Sequence, residues 1–292
     1  MVHLVKESKE QTPSLVIIDG FNNIFRAYYG VPFLSTLDGF PTNAIYGFVT
    51  MLQKVIDDFT PTHIAIAFDS KGPTFRKEMF SDYKKQRKEM PVDLVPQIPK
   101  IKEVVDAFNI TSFAVPGYEA DDIIATLVQL ASPMQIFIIS GDKDLSQVVD
   151  YNVKLVDTLR GKVTGVDEVK ERFGVTPEKI IDIFGLMGDR VDNIPGVPGI
   201  GEKIAVKLIS EFGSLEEVLL NVNKVKGTKC REKLTQYADQ ARLSKKLACV
   251  KRNVPLEFEN GIDDLYRRSP NKKVLFTLFK EFEFSSFLRK FD

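Results

Sequence analysis

Histidine and cysteine are scarce in this 292-residue chain, with two of each. Cys230 and Cys249 have neither C-x-x-C spacing nor histidine neighbours, which excludes a zinc-finger type site and a disulfide framework and suits a reducing compartment. With His3 and His63 alone, there is little scope for histidine acid-base or triad chemistry. Any catalysis falls to carboxylates, lysines or metal ions. No apolar run approaches the roughly 18 residues of a membrane span, and the polar start MVHLVKESKEQTP lacks the apolar stretch of a signal peptide, so a cytoplasmic protein with no membrane partner is expected. Net charge is absent too, with 40 Lys and Arg against 40 Asp and Glu. That balance hides local excess. Lys71 to Met90 carries seven basic residues against three acidic ones, net +4, and Lys224 to Arg252 carries ten against two, net +8. A single run of this kind is equally a solvated helix face, so the positions of the acids decide its meaning.

The length suits about two domains. Short apolar runs at Leu15 to Ile18, Ile64 to Phe68, Ile110 to Val115 and Gln135 to Ile139 alternate with helical periodicity at Asn43 to Phe59, Leu94 to Phe108 and Ala120 to Leu130. This is the pattern of a parallel sheet covered by helices. After about Asp167 the strands stop. Val169 to Phe173, Pro177 to Met187, Glu202 to Phe212, Leu215 to Leu220 and Asn271 to Phe282 read as helices separated by Pro and Gly. The reading is an α/β domain over residues 1–166 and a mostly helical region over 167–292. Ser70 to Pro91 is too long for an ordinary connection, and such insertions are often lids or mobile segments.

Three apolar runs end in aspartate: Asp19, Asp69, and the pair Asp142 and Asp144. Ligands in open parallel sheets bind outside the carboxyl ends of the strands, so these side chains should converge. One strand-end aspartate is ordinarily a turn or cap residue, but three are harder to explain so. Glu119, Asp121 and Asp122 open the helix after the third run, where the helix dipole alone favours acids. Asp189 and Asp192 follow a helix end, where the dipole disfavours them. Carboxylates crowded together repel unless cations neutralise them, and oxygen-only ligands select Mg²⁺ or Mn²⁺. A pair of such ions is a standard device for hydrolysing phosphodiesters. The glycine-rich stretch Asn193 to Lys203, containing Gly196, Gly199 and Gly201, would let backbone N–H groups approach a phosphate at a helix start. It matches neither a Walker loop nor a dinucleotide fingerprint, and a plain interhelical turn is the alternative.

The stretches IIDGFNNIFRAYYG from Ile17, AFDSKGPTFRKEMFSDYKKQR from Ala67, GYEADDIIAT from Gly117, SGDKDLSQVV from Ser140 and GLMGDRVDNIPGVPGIGEKIA from Gly185 resemble the bacterial 5′-nucleases. These are the 5′-3′ exonuclease domain of DNA polymerase I and its free-standing flap endonuclease relatives. The matches run in the family's order along nearly the whole chain. The resemblance implies a PIN-like α/β nuclease domain with a helical arch at about 70–108, followed by a helical region whose helix-three-turn-helix, about 185–212, holds duplex DNA. It places metal carboxylates at Asp19, Asp69, Glu119, Asp121, Asp122, Asp142, Asp144, Asp189 and Asp192. Arch residues fall on Tyr83, Lys84 and Arg87, with Arg26 and Arg76 as further phosphate contacts. Tyr83 or Phe75 could stack on an unpaired base. Gly196, Gly199, Gly201 and Lys203 belong to the DNA-holding segment, where the resemblance also implies a potassium ion on nearby carbonyls.

The activity implied is metal-dependent 5′-3′ exonuclease and flap endonuclease hydrolysis by two Mg²⁺ ions, with Mn²⁺ as a substitute, leaving a 5′-phosphate and a 3′-hydroxyl during primer removal and DNA repair. The expected partners are DNA with 5′ flaps, nicks or free 5′ ends, and RNA of RNA-DNA hybrids. A monomer is expected. A haloacid dehalogenase-type phosphatase needs a second Asp two residues after the first, and Phe21 stands there. A DNA-binding scaffold without catalysis leaves the acids unexplained, since unneutralised carboxylates repel DNA. An RNA-directed nuclease of the same fold stays open at this stage.

Overall fold

The computed structural model describes residues 12–289. The polar start with His3 and the end at Phe291-Asp292 lie outside the described residues. Strand β1 (Ser14–Asp19) leads directly into helix α1 (Gly20–Gly30), followed by α2 (Asn43–Phe59), β2 (His63–Ala67), the short α3 (Phe75–Met79), α4 (Gln97–Ala107), β3 (Thr111–Phe113), α5 (Ala120–Ala131) and β4 (Gln135–Ile139). After a 3₁₀ turn at Asp144–Val148 come β5 (Val153–Asp157) and β6 (Lys162–Thr164). Helices then follow: α6 (Val166–Phe173), α7 (Ile180–Met187), α8 (Glu202–Phe212), α9 (Leu215–Leu220), α10 (Thr228–Gln236), α11 (Ala238–Ala248), α12 (Lys272–Glu281) and α13 (Ser285–Leu288).

The strands lie in the order β3-β2-β1-β4-β5-β6, parallel except for the antiparallel β5-β6 pair at one edge. The central strands are apolar nearly throughout because both faces of the sheet are covered. Alternate residues of β1 feed two cores. Leu15 and Ile17 pack with α5 and the helical half, while Val16 and Ile18 pack with α1, α2 and α4. After β3 the chain crosses back to place β4 on the far side of β1. That reversal opens a crevice at the carboxyl ends of β1, β2 and β4, where Asp19, Asp69 and Asp142 emerge.

Three features depart from the sequence reading. The chain does not stay in the helical half after residue 167. Leu275, Leu278, Phe279, Phe282, Phe284 and Phe287 of the last helices pack on the α1-α2-α4 face of the sheet, because an aromatic stripe of this size needs a core to cover it. The strands β5 and β6 and the helices α10 and α11 were not read from the sequence. The segment expected to form an arch consists of α3, turns over 81–86 and 92–96, and α4. Between α3 and α4, with prolines at Pro91 and Pro96 limiting helix formation, the chain makes a strap that folds down toward the carboxyl ends of the strands.

Candidate active site

A cavity of about 940 Å³ opens at the crevice, lined by Asp19, Asp69, Asp121 and Asp142 with Lys84 and Arg87 from the strap and an apolar wall that includes Phe21 and Phe25. Asp19 closes β1 and caps α1 by accepting the Asn22 N–H (3.2 Å), while its other oxygen accepts the Ser140 hydroxyl (2.7 Å). Burial, with repulsion from Asp142 and Asp69, pushes its carboxyl up to about 7, although the Ser140 and Asn22 hydrogen bonds pull the other way. Asp69 accepts the Ala120 N–H at the start of α5 (2.9 Å). Asp121, one residue on, is raised well above the usual carboxylate range by burial and then by Asp142 and Asp19. Burial also raises Asp142, against the hydrogen bond it accepts from the Asp144 N–H (2.9 Å). Asp144 rises strongly through burial and Asp142, and its Oδ1 is buried without a hydrogen-bond partner.

The remaining acids meet cations supplied by the chain. Glu119 accepts the Lys84 ammonium (2.8 Å), the Tyr83 hydroxyl (3.0 Å) and Arg76 Nη1 (3.1 Å). Asp192 accepts Arg87 (2.8 Å) and the Tyr83 hydroxyl (3.3 Å), with Lys84 at 3.5 Å. The backbone joins in, as the Lys84 N–H donates to the Asp192 carbonyl (2.9 Å) and the Asn193 amide to the Asp82 carbonyl (2.7 Å). Burial works against the Lys84 charge, but Glu119 and Asp192 outweigh it and hold its proton more firmly than usual. Asp189 pairs with Lys143 at 2.5 Å. Lys143 was missed by sequence reasoning, although a lysine between Asp142 and Asp144 is a visible break in an acidic run.

Four expected roles change with these positions. Tyr83 is 4% exposed, packed with Ile194 and Leu247 and tied to two carboxylates, so its ring is not free to stack on a base. Its phenol is raised by burial and by those acids. Arg76 is 2% exposed and all its N–H groups bond within the protein, so it cannot meet a phosphate. Asp122 is fully buried and spends both oxygens on Arg76, on the Lys251 N–H (2.7 Å) and on the Glu119 N–H (3.1 Å). With both oxygens so engaged it is not among the residues that line the cavity, and its partners are those of a structural anion. Gly196 is buried, and its N–H donates to Ser244 (3.0 Å). With φ +60° and a virtual Cβ 2.3 Å from the Gly188 nitrogen, Gly196 is a backbone crossing that admits no side chain. Gly199, Gly201 and Lys203 are exposed at the start of α8.

Arg26 reaches the crevice by passing over Gly141, where a Cβ would lie 2.3 Å from Nη1. Its Nη2 pairs with Asp157, leaving Nη1 buried and unpartnered. Phe75 is half-buried, its ring under Arg76 (4.6 Å) and Lys251 (5.3 Å).

Among the described residues no three His, Cys, Asp or Glu side chains stand close enough together to hold a metal ion as placed. The donor chemistry nevertheless fits a hard divalent cation. The candidate donors are oxygen alone, Asp121 and Asp142 are raised by burial and then by neighbouring carboxylates, and Asp144 carries an orphaned buried oxygen.

The family model described as the 5′-3′ exonuclease N-terminal resolvase-like domain matches residues 14–174, and the 5′-3′ exonuclease C-terminal SAM fold matches residues 175–273. The chain is 43% identical over 285 residues to DNA polymerase I of Bacillus caldotenax, covering 95% of this chain and 32% of that protein. It thus spans about a third of the length of the polymerase relatives it matches. To the 5′-3′ exonuclease of Aquifex aeolicus it is 39% identical over 281 residues, covering 96% of this chain and 95% of the relative. Bacteriophage T5 5′-exonuclease with bound zinc shares the fold with a TM-score of 0.67 at 24% identity, covering 92% of this chain and 98% of the other. A T5 flap endonuclease complex with DNA and metal ions does so at 0.71 and 20% identity, covering 91% and 99%. Matched by both domain models across residues 14–273 and by a relative over nearly its whole length, this chain belongs to the 5′-3′ exonuclease family.

Proposed function

We propose that this chain is a structure-specific 5′-3′ exonuclease and flap endonuclease that hydrolyses DNA phosphodiesters to leave a 5′-phosphate and a 3′-hydroxyl. The observation that carries the reading is the set Asp19, Asp69, Asp121 and Asp142 around one cavity, with the carboxyls of Asp19, Asp121 and Asp142 raised by burial and then by neighbouring acids. These four, with Asp144 and its orphaned oxygen, would hold two Mg²⁺ or Mn²⁺ ions. When bound, such ions activate water and spread the charge that develops on the attacking and leaving oxygens. Glu119, Asp189 and Asp192, which the family resemblance also counts among its metal carboxylates, lie at the edge of the site.

The chain's own residues do the rest. Lys84 and Arg87 hold Glu119 and Asp192 in the DNA-free protein and lie within the cavity wall. An entering phosphate offers them a second anionic partner, so the strap can transfer from carboxylate to substrate and complement the transition-state charge. Arg26 also lines this cavity, with its Nη1 buried and unpartnered beside Gly141. The exposed Gly199, Gly201 and Lys203 at the start of α8 receive a duplex phosphate without reading sequence. The reading implies recognition of a junction and a free 5′ end, including RNA-DNA hybrids at primer ends.

The test is cleavage of a 5′-labelled flap duplex with Mg²⁺ or EDTA. Metal-dependent flap release is expected, abolished by Asp144→Ala and slowed roughly 10²-fold by Lys84→Ala, the scale of losing one preorganised donor. Tight binding of the flap with no cutting in Mg²⁺ or Mn²⁺ would leave a DNA-binding scaffold in place of the enzyme.

A further inference from the structure

The end of α11 is fixed with unusual completeness. Arg76 donates from Nε to the Leu247 carbonyl (2.8 Å), from Nη2 to the Cys249 carbonyl (3.0 Å) and to Asp122 (2.8 Å), and from Nη1 to Asp122 (2.7 Å) and Glu119 (3.1 Å). All five guanidinium N–H groups are used. Asp122 returns the connection by accepting the Lys251 N–H (2.7 Å). From the other side Gln147, in the turn that begins at Asp144, donates to the Ala248 carbonyl (3.0 Å) and accepts the Val250 N–H (3.0 Å). Backbone groups of residues 247 to 251 are therefore pinned to α3, to the start of α5 and to the turn after β4.

The same helix grips the glycine segment one to two turns earlier. Ser244 accepts the Gly196 N–H, and the Gln240 amide donates to the Gly196 carbonyl (2.6 Å). Helix α11 also packs along α7, whose end leads into Asp189 and Asp192. A single rigid element thus joins the segment that would hold the duplex to the acids that would cut it, and its end is locked onto the site by Arg76, Asp122 and Gln147.

We propose that Arg76, with Asp122 and Gln147, is a positioning residue that sets the register between the duplex-holding glycine segment and the carboxylates, and so selects which phosphodiester is cut. This inference rests on the nuclease reading above. Lysine at position 76 keeps the charge but has three donors on one atom and cannot span five acceptors. Loosening the junction leaves the duplex-binding surface intact while letting the duplex shift relative to the acids.

The experiment maps cleavage of a 5′-labelled flap duplex at nucleotide resolution, under single turnover, for the full chain, Arg76→Lys and Gln147→Met. Flap affinity is measured beside it by fluorescence anisotropy in Ca²⁺. Both variants are expected to spread cleavage over neighbouring phosphodiesters and to cut about 30-fold (Arg76→Lys) or about 5-fold (Gln147→Met) more slowly, with affinity within about threefold of the parent. Should Arg76→Lys fail to fold, as judged by its thermal melt, the Gln147→Met pattern decides alone. Unchanged cut positions in the folded variants, whatever their rates, overturn the proposal while leaving the nuclease reading standing. If the parent chain cuts no DNA, the nuclease reading falls and this inference with it.

Discussion

The acids of the site divide into two regions that the fold treats in opposite ways. Glu119, Asp122, Asp189 and Asp192 each meet a lysine or arginine of the same chain. Asp19, Asp121, Asp142 and Asp144 have no ion pair with a side chain among the described residues, and all four carboxyls are raised by burial. The two sets are interleaved in sequence, since Glu119 and Asp122 flank Asp121, so proximity does not explain the difference. Direction does. Asp121 lines the cavity at the sheet edge, whereas Asp122 is buried against Arg76. A carboxylate left uncompensated in a crowd is costly unless a cation arrives from outside. The contrast separates acids that the chain's own cations neutralise from acids that, on the nuclease reading proposed above, would take divalent ions.

The contrast is broken most severely by Asp142→Asn. Flap cleavage is expected to fall on the order of 10³-fold, as for loss of a principal electrostatic contributor, while the Tm of the metal-free protein rises because a repulsive charge has gone. Differential scanning fluorimetry in EDTA checks the second half, and a lower Tm would place Asp142 among the compensated acids. The opposite substitution, Asp122→Asn, leaves the buried Arg76 without its counter-charge. It is expected to destabilise the fold by about 3 kcal/mol in urea denaturation, the cost of breaking a buried pair, and a change below about 0.5 kcal/mol contradicts the structural role.

A smaller effect is the pH dependence of the metal-free protein. Because the Asp19 carboxyl is raised in the folded state from 3.8 to about 7, the native state binds a proton that the unfolded chain releases. Its contribution to stability is fully present below about pH 3.8 and is lost as pH rises through about 7. The Tm in EDTA should therefore decline between pH 5 and 8 from this source, and Mg²⁺ should restore more at pH 8 than at pH 5. An Asp19→Asn variant that shows the same slope removes Asp19 as its cause.

Much of this division was visible in the sequence, and some of it could not be. The strand-end aspartates were legible because apolar runs of buried parallel strands stop at Asp19, Asp69 and Asp142, and sheet topology then requires their convergence. Helices α2, α8 and α9 were readable to the residue from periodicity and punctuation. Strand β6, three residues long with two of them polar, carries too little pattern to be seen. Helices α10 and α11 were masked by lysines and arginines that registered only as charge. Arg76 and Asp122 looked like a phosphate contact and a metal ligand because their partnership spans 46 positions and arises when the helical half closes over α5. The return of α12 and α13 to the sheet is likewise a tertiary event, hinted at by aromatic density alone.

The division itself is tested most directly by Mn²⁺ binding to the DNA-free protein, followed by electron paramagnetic resonance of the free ion, in the parent chain, Asp142→Asn and Asp122→Asn. Loss of one charged ligand at Asp142 should weaken Mn²⁺ by about tenfold or more, whereas Asp122→Asn should leave it within about threefold. Equal weakening by both substitutions, or an affinity untouched by Asp142→Asn, would contradict the separation of the acids into those the chain neutralises and those it reserves for metal.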